Sequence, residues 1–312
     1  MTATNQPEEF GSSPASTPLA DDQQSVRPEI SSRPFREASN CSSPLTPSSM
    51  KHLLFFILLS PGLVIAPLHA ATPEPATEVG PPVIKLATGF TYITGGYGFS
   101  QTTDLWSVPV NLSYDVERWS LKAAFSYLTI KGPANVATGS SPAGGAPRPT
   151  AATESGIGDT SLSATYHANP VPGELNVDFT ARVKLPTADE SKGLGSGETD
   201  YYVQTDVSQT FGKITTFATL GYRFMGSNAA SPLKDGMFAT AGAAVRANDQ
   251  TILGAAYDWQ SRILPGAEAG SNLIGFVARN PNDRWSLLAY VIAGLNDASP
   301  DLGIGGLATY KF

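Results

Sequence analysis

The chain has 312 residues, 15% of them charged and 41% hydrophobic, with 30 Gly, 25 Pro and a formal net charge of -7. Its single cysteine, Cys41, excludes an intrachain disulfide framework and a cysteine-built zinc site. Scarce Glu and Lys argue against a long helical array, apolar runs of membrane-helix length are too few for a polytopic helical protein, and the acidic balance offers no footprint for nucleic acid.

Residues 1–49 are rich in Ser, Pro, Thr and Asn and nearly free of aromatics. Such a segment cannot bury enough apolar surface to offset its chain entropy. It reads as a disordered or mis-annotated extension. Met50-Lys51-His52 then forms a basic start, Leu53 to Ile65 an apolar stretch, and Leu68-His69-Ala70 a small-residue cleavage site. Residues 50–70 therefore read as a signal peptide, too short for a span and broken by Pro61-Gly62. Because a signal peptide belongs at an N-terminus, Met50 is the expected start. Cleavage leaves 242 residues without cysteine. Residues 71–82, Pro-rich and acidic, read as a periplasmic linker.

From Val83 onward, runs of ten or more residues alternate apolar and polar. Leu175, Val177, Phe179, Ala181, Val183 and Leu185 share one face; Glu174, Asn176, Asp178, Thr180, Arg182 and Lys184 share the other. A period of two is the signature of a strand between unlike environments. Turn residues divide the chain into strands near 83–94, 104–116, 119–130, 157–168, 174–186, 199–211, 214–226, 236–247, 250–261, 270–280, 284–295 and 302–312, of which 236–247 and 270–280 are Ala/Gly-rich. The intervening connections alternate strictly, six or more residues and then five or fewer. A soluble Greek-key sandwich has no cause for that alternation. A transmembrane, antiparallel, up-and-down β-barrel has one, with short turns on the periplasmic side and longer loops outside. The fold class expected is thus all-β, a barrel of about 12 strands over 83–312. Twelve strands place both barrel ends in the periplasm.

The aromatics fit this frame. Trp106 and Trp259 fall near long loops, Trp119 and Trp285 beside short turns, suiting two interfacial girdles. The last strand ends at Phe312, with Tyr310 two residues earlier. That pair resembles the signal read by the outer-membrane assembly machinery, an expected partner together with outer-membrane lipid and lipopolysaccharide.

The face opposite the lipid would carry Glu174, Asp178, Arg182, Lys184, Asp206, Arg223 and Asp258, with Lys85 and Lys122. Charges of both signs can line a watery passage or pair across a filled barrel. The long loop from Lys131 to Gly156 reads either as a lid or, more plainly, as a mobile external loop. Chemistry is sparse. After cleavage His167 is the one histidine, and no Ser stands beside it in a recognisable motif, so no catalytic role is expected. No metal or other cofactor is expected either. Asp189-Glu190 and Glu198 with Asp200 flank one external loop and read as solvated acids rather than a cation site. The glycines of Gly193-Leu-Gly-Ser-Gly197 open no helix, so they do not form a dinucleotide loop.

Three segments go further. Gly156-Ile-Gly-Asp159, Lys184-Leu185-Pro186-Thr187 and Gly195-Ser-Gly197-Glu-Thr199-Asp200-Tyr201 resemble the outer-membrane proteins of the phenol-degradation (MetA) pathway family, often called transporters. The resemblance spans roughly 83–312 and is sharpest over 155–225. It implies an outer-membrane β-barrel and passage of aromatic or other small hydrophobic compounds, and brings no catalytic residue. Ala188 stands where Gly is expected after Lys-Leu-Pro-Thr. The motif also reads as a device of the barrel rim: Pro186 ends a strand and the glycines turn the loop.

The reading expected from sequence is a passive, porin-like channel of the bacterial outer membrane for small, aromatic or hydrophobic molecules, with no enzymatic activity and an unnamed solute. The rival is a structural or adhesive barrel with a closed lumen, acting through its loops.

Overall fold

The computed structural model of the protein describes residues 81–136, 142–143, 147–149, 151–168, 175–229 and 231–312. The extension 1–49, the signal peptide 50–70, nearly all of the linker and Glu174 lie outside the described residues.

The alternating sequence folds into strands β1 (Val83–Gly95), β2 (Thr103–Val116), β3 (Trp119–Lys131), β4 (Glu154–Ile157), β5 (Thr160–His167), β6 (Asn176–Leu185), β7 (Asp200–Phe211), β8 (Ile214–Phe224), β9 (Gly236–Asn248), β10 (Thr251–Gln260), β11 (Gly270–Arg279), β12 (Trp285–Gly294) and β13 (Leu302–Lys311). Strands pair antiparallel with their chain neighbours except β4 and β5, which follow one another along β3; β4 pairs with β3 alone, and β1 joins β2 on one side and β13 on the other. The sheet closes into a twelve-stave antiparallel barrel. Closure leaves no unpaired edge, as lipid requires.

The fourth stave departs from the expected single strand 157–168. It begins earlier, at Glu154, and breaks at Gly158-Asp159. Below the break Ala124 faces Ser161; above it Tyr127 faces Ile157. The fourth stave thus spends one more residue than β3 across the gap, which is a β-bulge. The Gly158 amide still bonds the Ser126 carbonyl at 2.8 Å, while Asp159 is left buried.

Period two sorts the side chains. Ile84, Leu86, Phe90, Val108, Leu112, Leu121, Phe179, Leu253, Leu287 and Ile304 all project outward and stay exposed. An apolar belt of this extent is unsuited to water and suited to hydrocarbon. Aromatics border it at both ends. Trp106 packs on Tyr92 at 4.5 Å near the long loops; Trp119 on Tyr166 and Trp285 on Tyr310 lie beside the short turns, each at 5.0 Å. Phe312 closes the lower group, 5.0 Å from Tyr310, and is 70% exposed.

The Ala/Gly-rich strands are full-length. In and around them inward glycines lie directly opposite rings: Gly221 of β8 faces Phe238, Gly242 of β9 faces Phe217, Gly254 of β10 faces Phe276 and Gly305 of β13 faces Tyr290. In each pair a Cβ on the glycine would collide with the opposing ring. The ring lies over the bare backbone and replaces the missing side chain. We expect Gly254→Val to expel Phe276 and cost about 1–3 kcal/mol, the range for overpacking. A urea titration of the heat-modifiable folded band checks it; an unchanged midpoint would show that the pairing adds nothing.

The long loop does not stand free. Ala134 and Val136 are fully buried and Ala143 is 6% exposed. Ala134 packs with Ile93 and Tyr97, Val136 with Leu105, Leu128 and Ile130, and Ala143 with Met225, Leu233, Ile263 and Leu264. The described parts therefore fold over the barrel's outer end, because their small apolar side chains find apolar partners there.

Candidate functional site

The three motif segments meet at the outer rim. Lys184, near the end of β6, places its Nζ 2.9 Å from Asp159 Oδ2 and 2.9 Å from Asp200 Oδ2, and donates to Ser196 Oγ at 2.8 Å. The side chains of Lys184, Asp159 and Asp200 are exposed by 3% or less. Asp159 is delivered by the bulge, Asp200 by the first residue of β7, Ser196 by the loop between. Asp159 also accepts the Ala188 amide at 3.1 Å and Asp200 the Gly226 amide at 2.9 Å. Two carboxylates on one ammonium are tolerable in burial only with such added donors.

The rest of the motif shapes the same corner. Leu185 ends β6 and Pro186 follows it outside the ladder. Thr187 Oγ1 donates to the Gly158 carbonyl at 3.1 Å and accepts the Thr160 amide at 2.8 Å, bridging the bulge. A Cβ on Gly195 would meet the Asp159 carboxylate at 2.8 Å, so only glycine fits. Gly197 takes a left-handed φ of 73° against Glu190. Thr199 leads into β7, and Tyr201 is 56% exposed on the outer face. Asp200 is thus a buried ion-pair partner, not a solvated acid as expected. Asp189 behaves as a solvated acid. It caps the short turn Glu190–Lys192, and the Ser191 hydroxyl and Lys192 hold its carboxyl below the usual range against a small desolvation effect. Glu198 accepts from Asn228 Nδ2 at 3.0 Å.

The remaining charged residues named from the sequence project to the inner face. Asp206 accepts from Thr219 at 2.6 Å and from Gln204; Asp258 accepts from Thr240 at 2.8 Å and from Asn272 at 3.3 Å. Arg182 stacks on the Tyr202 ring, 3.8 Å from its centroid. Arg223 donates to Gln260 Oε1 at 3.0 Å and to the Ser261 carbonyl at 2.6 Å. Lys85 pairs with Asp115 at 2.6 Å. Cross-lumen pairing of opposite charges, the filled-barrel alternative, is not the pattern among the described residues: these partners lie on the same or adjacent strands, save that Arg223 of β8 reaches over β9 to the end of β10. The inner face of β8–β13 also carries an apolar cluster, running from Phe217 through Ile252, Ile274, Phe276 and Leu288 to Leu307, beside the polar Thr219, Thr240 and Asp258.

Sequence reasoning missed one arrangement. His167 Nε2 lies 3.0 Å from Ser120 Oγ, and its Nδ1 lies 2.8 Å from Asp178 Oδ1. The order matches a nucleophile, a base and an orienting carboxylate. Yet Ser120 is 5% exposed, and its strand is committed to ladders on both sides, so no paired amides stand ready for an oxyanion. The chain ties β3, β5 and β6 together near the short turns. Its signal in sequence was faint, since Ser120 and His167 are 47 residues apart.

No family model matches the sequence, and no curated protein matches it. In three dimensions the chain is similar to the COG4313 outer membrane channel of Pseudomonas putida F1, with 15% identity and a TM-score of 0.54, covering 77% of this chain and 99% of that one. It is also similar to the outer membrane channel DcaP of Acinetobacter baumannii (10% identity, TM-score 0.36, 74% and 96% covered). The Pseudomonas putida toluene transporter TodX is similar at 10% identity and TM-score 0.37, with 74% and 88% covered. The first of these carries the likeness, which is one of fold: the chain has the architecture of an outer-membrane β-barrel.

Proposed function

We propose that the protein is a passive channel of the bacterial outer membrane for small molecules with apolar, including aromatic, bodies. The observation that carries this is the apolar cluster from Phe217 to Leu307, whose residues, each exposed by 8% or less, pack together on the inner face where a water-filled pore would need polar lining. The motif resemblance to the phenol-degradation (MetA) pathway family supports the same class of solute. Export from Met50, contact with lipopolysaccharide and assembly through Tyr310 and Phe312 belong to the same proposal. So does the absence of catalysis.

The test is a planar-bilayer recording with the purified protein, joined to a liposome-swelling assay with aromatic solutes. Conductance and swelling are expected. Absence of both would favour a structural or adhesive barrel with a closed lumen. One observation favours that second reading: loops meet over the outer end through Ala143 and Leu194.

A further inference from the structure

The strand register lines up the inner cations. Lys311 faces Lys85, Lys85 faces Ser113, and Ser113 faces Lys122. From there Lys122 faces Ser163, Ser163 faces Arg182, Arg182 faces Tyr202, and Tyr202 faces Arg223. One unbroken cross-strand row, on β13, β1, β2, β3, β5, β6, β7 and β8, thus carries five cations and no carboxylate. Its first members lie beside the short turns at the chain's end and its last, Arg223, lies next to the end of β8 at the long loops. The row therefore climbs the wall from one mouth towards the other.

Like charges directly opposed, as Lys85 and Lys311 are, oppose folding. A charge arrangement kept against that cost calls for another role. Within the row Lys85 pairs with Asp115, two residues along β2 from Ser113. Arg182 stacks on a neutral ring, and Arg223 donates to an amide and a carbonyl. Arg223 is 1% exposed, and its Nε has no hydrogen-bond partner. Lys85, Arg182 and Lys311 are partly exposed, while the Nζ of Lys122 is buried.

Besides Asp115 at Lys85 and Asp200 at Tyr202, the inner carboxylates form a second row. Asp178 faces Asp206, which faces Thr219, then Thr240, then Asp258, a row four residues along each strand from the cations. Those three carboxylates are each exposed by 7% or less and are capped by His167, Thr219 or Thr240. The part-exposed cations Lys85, Arg182 and Lys311 offer positive charge on the inner face, and the apolar cluster occupies β9–β12, the strands that the row leaves out. Focused fields inside a low-dielectric wall raise the local concentration of the opposite ion by one or more orders of magnitude, and rings of Arg and Lys select anions in pores.

We propose that the barrel selects small organic anions with an apolar body, of the aromatic carboxylate class, guiding the carboxylate along this row and the body along the apolar wall. This rests on the channel reading above and refines its solute. The test is the reversal potential of the purified protein in a planar bilayer under a steep KCl gradient, followed by addition of benzoate or neutral benzamide. Anion preference of several-fold is expected, with benzoate, not benzamide, altering the current. Arg182→Gln and Lys122→Gln, verified as folded by heat modifiability, should lower that preference. A conducting protein with cation preference or none overturns the inference and leaves the channel reading standing. Anion preference unchanged in both variants overturns the role of the row. No current in any salt removes the channel reading itself.

Discussion

Lys184→Met is expected to destabilise the barrel by about 3–5 kcal/mol, the penalty for removing one partner of a buried ion pair. Lys184 holds two carboxylates from different segments, the bulge residue Asp159 and the β7 residue Asp200, and has little water to replace it. Without the ammonium, Asp159 and Asp200 face each other buried and alike in charge. They can relax only by taking up protons or by opening the corner to water, which pulls the loop between Leu185 and Asp200 from its seat. The check is a urea titration of the heat-modifiable band, with Asp159→Asn and Asp200→Asn added to the same variant. The triple variant should recover much of the loss, because a neutral cluster no longer carries uncompensated charge. An unchanged midpoint for Lys184→Met alone would show that the cluster contributes no stability.

That cluster also marks where sequence reading stopped. The barrel itself was legible, because lipid on one side and lumen on the other impose a strict period of two, as at Asp178, Phe179 and Thr180 in β6. Alternating connection lengths then fixed the up-and-down order. The inward direction of Lys184, Asp206 and Arg223 followed from the same period. The partners did not. Asp159 is inward because of a one-residue bulge, and nothing in the alternation announces a bulge at Gly158. Strand β9 read faintly since its Gly242 makes sense only beside Phe217 of β8, and β11 since its Phe276 makes sense only beside Gly254 of β10. Ser120, His167 and Asp178 join through register, which depends on the lengths of turns and bulges together. The long loop misled for a similar reason: its composition is that of a solvated segment, while Ala134 and Val136 are buried by residues of β1, β2 and β3.

The loop packing leads to the other large effect. Arg148 cross-links the two loops at the outer end: Nη1 donates to the carbonyls of Gly132 at 2.8 Å and Ala152 at 3.1 Å, and Nη2 and Nε both donate to that of Lys192, at 2.9 and 3.2 Å. Burial pushes its pKa down and Glu154 pushes it back up, but a guanidinium stays charged through this range. Hydrogen bonds to a charged group contribute about 1.5–3 kcal/mol each. Beside it Leu194, fully buried, inserts among Leu105, Leu128, Ile130 and Val136. Burying a leucine contributes about 1.5–3 kcal/mol. In an Arg148→Ala, Leu194→Asp double variant both anchors go, and the aspartate cannot re-enter an apolar seat unpaired. The two loops should swing off the outer end while the barrel stays closed, because its backbone ladders do not pass through Arg148 or Leu194. The expected result is a several-fold rise in single-channel conductance, faster nicking of the loops by added protease, and a folded band that still migrates as wild type. The nicking arm does not depend on the barrel being a channel, so the two readouts separate a lid over a passage from a cap on a closed barrel. Faster nicking with no current would identify the cap. Unchanged nicking would show that Arg148 and Leu194 do not hold the loops.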